Sequence, residues 1–101
     1  MIFSNLKISN RILKNRVFVS PMCQYSSDKF GSPSMWHYYH LSKLIMSNAG
    51  MLIIESTAVN PRGRITNRDL CLYTKKQRND FLDLINFLKK INKNVPICVQ
   101  L

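Results

Sequence analysis

Three short apolar runs divide the chain. The first, Arg16-Val17-Phe18-Val19-Ser20, lacks polar–apolar alternation, the pattern of a strand covered on both faces. Met51 to Ile54 is a second such run, ending at Glu55, and Val95 to Leu101 is a third. Between the first two, Tyr38, Leu41, Leu44 and Ile45 fall three or four apart within Trp36 to Asn48, with Lys43 and Ser47 on the opposite face. That spacing predicts a helix, with Ser32 as its cap, Pro33 in its first turn and Gly50 ending it. A polar stretch from Ser56 to about Tyr73 reads as a long loop. Thr74 and Gln77 then form a capping box for a second helix. Its stripe is Phe81, Leu84, Ile85, Leu88 and Ile91, and Lys89, Lys90 and Lys93 suit its negative C-terminal end.

The predicted order is strand, helix, strand, helix, strand. Such alternation implies α/β architecture with parallel strands joined by crossover helices. Two helices cannot cover both faces of an open three-stranded sheet, whose edges would also stay unpaired. A (β/α)8 barrel typically needs about 250 residues, so 101 residues read as the first part of something larger.

Composition narrows the picture. The length allows one domain, and 46% apolar residues make it globular. No apolar run reaches the roughly 18 residues of a membrane span, and MIFSNLKISNR lacks the apolar core and cleavage site of a signal peptide. Cys23, Cys71 and Cys98 are odd in number and widely spaced, without a CxxC pair. Neither a zinc site nor a disulfide framework follows, and reduced thiols in a cytoplasm are the economical expectation. The net charge of +10 reflects 5 acids as much as 15 bases. The bases are dispersed, so a general basic drift is preferred to a nucleic-acid surface. His37 and His40 lack a neighbouring carboxylate or thiol to complete a metal site and read as helix-face histidines. Trp36 reads as core, and Cys71 and Cys98 as structural.

In parallel α/β folds ligands sit at the carboxyl ends of strands. The ends here are Ser20-Pro21-Met22-Cys23, Glu55-Ser56-Thr57 and Gln100-Leu101. They offer a thiol, hydroxyls and a primary amide. No Gly-rich phosphate loop of either common type occurs. Taken alone, Cys23 fits a small buried hydrophobe, Tyr25 a rim aromatic and Gln100 an ordinary strand-end residue. Glu55 is assigned no chemical role, pairing with a nearby Arg being an equal reading. Arg62 and Arg64 read as a solvated loop.

Together, NRVFVSPMCQYSS, GMLIIESTAVNPRGRIT and ICVQL resemble the Old Yellow Enzyme family of FMN-dependent oxidoreductases. The likeness is to its bacterial NADPH dehydrogenase branch, which carries Cys rather than Thr after the Pro-Met strand end, and it runs over nearly all of residues 1–101. It implies that residues 1–101 are the N-terminal β-α-β-α-β portion of one FMN-binding TIM-barrel domain. It also implies that Ser20, Pro21, Met22, Cys23, Ser56 and Gln100 contact FMN, with Tyr25 contacting substrate. Cys23 would tune the ring's redox balance as a weak donor, and Gln100 would satisfy the pyrimidine edge, since a primary amide both donates and accepts. The family passes hydride from NADPH to FMN and then to the β-carbon of an α,β-unsaturated carbonyl. Its carbonyl-gripping His or His/Asn pair, proton-donating Tyr and phosphate-binding Arg would lie beyond Leu101. No catalytic residue is therefore expected within the chain, and the chain alone is expected to be inactive. A dihydrouridine synthase-like enzyme acting on tRNA and a non-catalytic remnant stay open as alternatives. So does homo-oligomerisation of a full-length form. No membrane partner is expected.

Overall fold

The computed structural model describes residues 1–101. In chain order its elements are β1 (Leu6–Ile8), β2 (Arg11–Leu13), β3 (Phe18–Val19), α1 (Met35–Met46), β4 (Met51–Ile54) and β5 (Thr57–Ala58). A 3-10 turn at Pro61–Gly63, β6 (Leu70–Cys71), α2 (Lys75–Ile91) and β7 (Ile97–Val99) complete the chain. The main sheet has the order β3-β4-β7, and both pairings are parallel. Each apolar run thus contributes one strand, with a helix between each pair, as the periodicity predicts. The paired segments are shorter than the apolar runs that contain them.

Register decides which residues form the core. Val19 pairs with Leu52, Leu52 with Ile97 and Ile54 with Val99. Since side chains alternate between faces, these residues share one face. Leu52 and Ile54 on that face are fully buried against Leu41 and Ile45 of α1 and Phe81, Leu84 and Leu88 of α2. The helices themselves meet edge-to-face through Tyr38 and Phe87, ring centroids 5.1 Å apart. Burying one such aliphatic side chain stabilises the fold by about 1.5–3 kcal/mol. The opposite face carries Phe18, Met51, Ile53 and Cys98, which are half-buried or exposed. Within residues 1–101 the strands are covered on one face, and the sheet is open rather than closed.

α2 begins as its sequence predicts. The Thr74 hydroxyl accepts from the Gln77 N–H, while the Gln77 amide oxygen accepts from the Thr74 N–H at 3.0 Å. The stripe is less uniform: Phe81, Leu84 and Leu88 are buried, Ile85 half-buried and Ile91 exposed. Lys89 donates to the Val95 carbonyl at 2.8 Å, satisfying backbone beyond the helix end.

α1 begins two residues later than expected. Its cap is Ser34, whose hydroxyl accepts from the Trp36 N–H, and Pro33 lies before the cap. Capping at Ser34 places His37 at the third helical position, where its Nδ1 accepts from the Ser34 N–H at 3.1 Å. An imidazole thus does the work usually given to Glu or Gln. Ser32 instead closes a turn, its N–H donating to Asp28 Oδ1 at 2.8 Å. At the other end Asn48, not Gly50, adopts the left-handed conformation, with φ of 64°.

The stretch from Ser56 to Tyr73 contains a small parallel ladder, β5 against β6, pairing Thr57 with Leu70 and Ala58 with Cys71. Two-residue strands leave no periodicity to read. The antiparallel hairpin of β1 and β2 is equally short.

Candidate functional site

Ile54 and Val99 pair at one end of the sheet, and β3, whose last residue Val19 pairs with Leu52, runs parallel toward the same end, so the segments following the three strands leave it on the same side. Gln100 is held by its backbone: its N–H donates to the Ile54 carbonyl at 3.1 Å, and its carbonyl accepts from the Thr57 N–H at 2.9 Å. Ser56 lies between those two partners in the chain, which brings Ser56 and Gln100 together. The Gln100 side chain is exposed.

The segment after β3 reaches the same end by a different tether. The Gln24 N–H donates to Glu55 Oε1 at 3.1 Å. Gln24 Nε2 donates to the Met22 carbonyl at 2.8 Å, and Gln24 Oε1 accepts from Trp36 Nε1 at 3.0 Å. Cys23 and Tyr25 flank this anchored residue. Tyr25 has φ of 49° and is 45% exposed. Further along, the loop is fixed to the β6 segment by Ser27 N–H to the Arg68 carbonyl, 3.1 Å, and Cys71 N–H to the Gly31 carbonyl, 2.8 Å. Ser20 and Met22 line a narrow cleft with His40, Leu41, Leu44, Ile53 and Glu55. Pro21 lies between them, half-buried.

Electrostatic interaction with the neighbouring Cys23 is the main influence raising the Tyr25 phenol above its ordinary value, followed by desolvation; Asp69 and Glu55 add to it. The phenol is therefore protonated through the neutral range and serves as a hydrogen-bond donor.

Beneath this end lies a buried polar pair absent from the sequence reading. His37 is fully buried and Glu55 is 4% exposed, with His37 Nε2 facing Glu55 Oε2 at 3.6 Å. Glu55 thus pairs with a histidine and a backbone amide rather than an arginine. His37 is an interior residue, not a helix-face one, whereas Trp36, expected in the core, is 45% exposed and stacks on His40. Gln24 carried no periodic signal, its only cue being its position between Cys23 and Tyr25, whereas His37 lies four residues before Leu41 and eight before Ile45, on the stripe that α1 buries. Cys71 is buried, but Cys98 is exposed, its sulfur 3.5 Å from that of Met51. No cluster of three or more potential metal ligands occurs.

The chain belongs to the NADH:flavin oxidoreductase / NADH oxidase family, whose profile matches residues 1–101. It is 34% identical over 96 residues to an NADPH dehydrogenase of Clostridium acetobutylicum, covering 95% of this chain and 28% of that one. It is 35% identical over 97 residues to the NADPH dehydrogenase of Bacillus subtilis, covering 95% and 29%. Among solved structures, morphinone reductase superposes with a TM-score of 0.83 at 18% identity, over 97% of this chain and 25% of that one. The old yellow enzyme from Trypanosoma cruzi gives 0.78 at 22%, over 97% and 26%. The chain spans less than a third of these relatives. The structural likeness shows the fold: the three parallel strands and two helices are a portion of an Old Yellow Enzyme TIM barrel.

Proposed function

We propose that residues 1–101 supply the pyrimidine-side wall of an FMN site in an NADPH-dependent ene-reductase that acts on α,β-unsaturated carbonyls. The observation that carries this reading is the convergence of three strand ends. Gln100 is bonded by its backbone on either side of Ser56, and the Cys23 segment is tethered to Glu55 next door.

The donor set suits a flavin. A pyrimidine edge alternates donors and acceptors, and the exposed amide of Gln100 matches both. The Cys23 thiol offers a weak donor, and Tyr25 an aromatic wall with a polar tip. Flavin supplies hydride chemistry when bound. This chain's contribution is to orient the ring, exclude water from one side and present the Tyr25 hydroxyl to a substrate. The pair that would grip a substrate carbonyl has no counterpart among these residues. The reading therefore assigns residues 1–101 weak flavin binding and no turnover by themselves.

The test is an FMN titration of the 15N-labelled chain. Signals of Ser20 to Tyr25, Ser56 and Gln100 should shift, and Gln100→Ala should weaken binding about tenfold by removing the amide's hydrogen bonds. NADPH consumption with cyclohexenone should stay at background. Shifts confined to other regions would overturn the site, and robust turnover would overturn the assignment of inactivity.

A further inference from the structure

We propose that Glu55, backed by His37, is a positioning residue that fixes the loop bearing Cys23 and Tyr25. The inference rests on the flavin reading only in naming what the loop faces.

Glu55 divides its two oxygens between elements far apart in sequence. Oε1 accepts from the Gln24 N–H of the β3 loop at 3.1 Å, and Oε2 faces Nε2 of His37 on α1 at 3.6 Å. The His37 ring has little choice of orientation. Its Nδ1 accepts from the Ser34 N–H at the helix cap, so the proton of the neutral ring sits on Nε2, directed at the carboxylate. That Nε2 is buried and has no hydrogen-bond partner within ordinary range. A buried polar atom without a partner is costly, and the Glu55 carboxylate is the acceptor placed before it. Ser34 is itself fixed, donating from its hydroxyl to the Ser26 carbonyl at 2.6 Å.

The order of contacts is therefore helix cap, imidazole, carboxylate, loop amide. It ends on the one residue between Cys23 and Tyr25. Trp36, next to His37 on the same helix, holds the Gln24 side chain by its indole N–H. Gln24 is clamped at backbone and side chain, and Tyr25 immediately after it takes a left-handed φ of 49°. Such a conformation is disfavoured for a side chain of this size and persists only where neighbours over-determine it. Fixing the amide before it sets the directions of both flanking side chains.

Amide hydrogen exchange on the whole 101-residue chain tests the clamp. In the unsubstituted chain the Gln24 N–H should exchange at least about tenfold more slowly than that of exposed Lys29. Glu55→Ala should accelerate Gln24 exchange about tenfold or more while leaving Leu52 and Leu84 amides unchanged. It should also raise the rate at which Cys23 reacts with a disulfide reagent. Glu55→Gln keeps an acceptor for the amide and should restore slow exchange. Equal rates for Gln24 and Lys29 would overturn the proposal even if Glu55→Ala fails to fold. Acceleration spread equally over Leu52 and Leu84 would overturn it too, because that marks loss of general stability. The two readings separate cleanly. FMN that leaves Cys23 and Gln100 signals unmoved removes the flavin site without altering the exchange result.

Discussion

Gly50 lies where the chain leaving α1 crosses the segment before β3, and its N–H donates to the Val17 carbonyl at 2.8 Å. A Cβ there would stand 2.2 Å from the Asn15 carbonyl oxygen, a backbone atom that cannot swing aside. Gly50→Ala should therefore destabilise the chain by about 1–3 kcal/mol through overpacking. Gly63→Ala is the control, since its Cβ would meet only Asn60 Oδ1 at 3.8 Å; it should stay within about 0.5 kcal/mol. Urea unfolding of the two variants beside the parent chain measures the difference. The sequence marks Gly50 only as a helix stop, a role that Asn48 takes; the crowding that requires glycine at this position left no local signal. Helix periodicity marks where a stop falls, whereas the approach of Asn15, 35 positions earlier, is a contact between elements. Asn48 takes the left-handed turn, its side-chain oxygen accepting from Lys14 and from Asn92.

α1 shows how an element's amphipathic pattern and its actual surroundings part company. Leu41 and Ile45 are buried as their spacing predicts, yet His37 joins them inside while Trp36 lies half exposed. Three-residue spacing of the histidines suggested a shared face, but the two rings do different things. His40 stacks on Trp36 at 5.8 Å and lines the cleft with Ser20, Met22 and Glu55. Burial and the Lys43 charge, with a smaller contribution from His37, hold His40 below its ordinary pKa of 6.5, against an opposing pull from Glu55. The sign follows from linkage. Above 6.5 the ring is neutral in both folded and unfolded chains, and this contribution is fully present. As pH falls below 6.5 the unfolded chain binds the proton first, so stability declines until the folded ring also titrates. Thermal midpoints should fall between pH 7 and pH 5, by an amount that His40→Asn reduces. The Lys76–Asp80 pair on α2 adds in the same direction at still lower pH, because the hydrogen bond from Lys76 is the main influence holding the Asp80 carboxyl below its ordinary value. A midpoint that rises on acidification would contradict this account of the helix.

At the scale of the molecule, 15 basic residues face 5 acidic ones, and a single lysine–carboxylate ion pair forms, Lys76–Asp80. The remaining bases are spread over the hairpin and the segment after it, the loop before α1, α1 itself, the β5–β6 connection and α2 with its C-terminal turn, rather than gathered into a groove. Self-repulsion of this kind opposes the compact state. Raising salt from about 0.01 M to 0.15 M shortens the screening length from about 30 Å to 8 Å, so the thermal midpoint should rise. A midpoint that drops with salt would mean that attractive pairs dominate instead. The core that resists this repulsion lies on one face of the sheet, between it and the two helices. The other face, with Phe18, Met51, Ile53 and Cys98, has no covering layer within residues 1–101, as expected for a portion of a barrel wall.

What the sequence determined by itself was whatever repeats along the chain. Three apolar runs, two helical stripes and the Thr74–Gln77 cap follow from spacing, because local backbone geometry fixes which residues share a face. The order of elements and the strand ends bearing Cys23, Ser56 and Gln100 came with them. Only the tertiary structure decided that Glu55 meets Gln24 and His37 and that Ser34 caps α1. Those outcomes depend on which strands become neighbours and how closely a helix crosses them. Contacts between residues 18 or 31 positions apart have no period for a sequence to display.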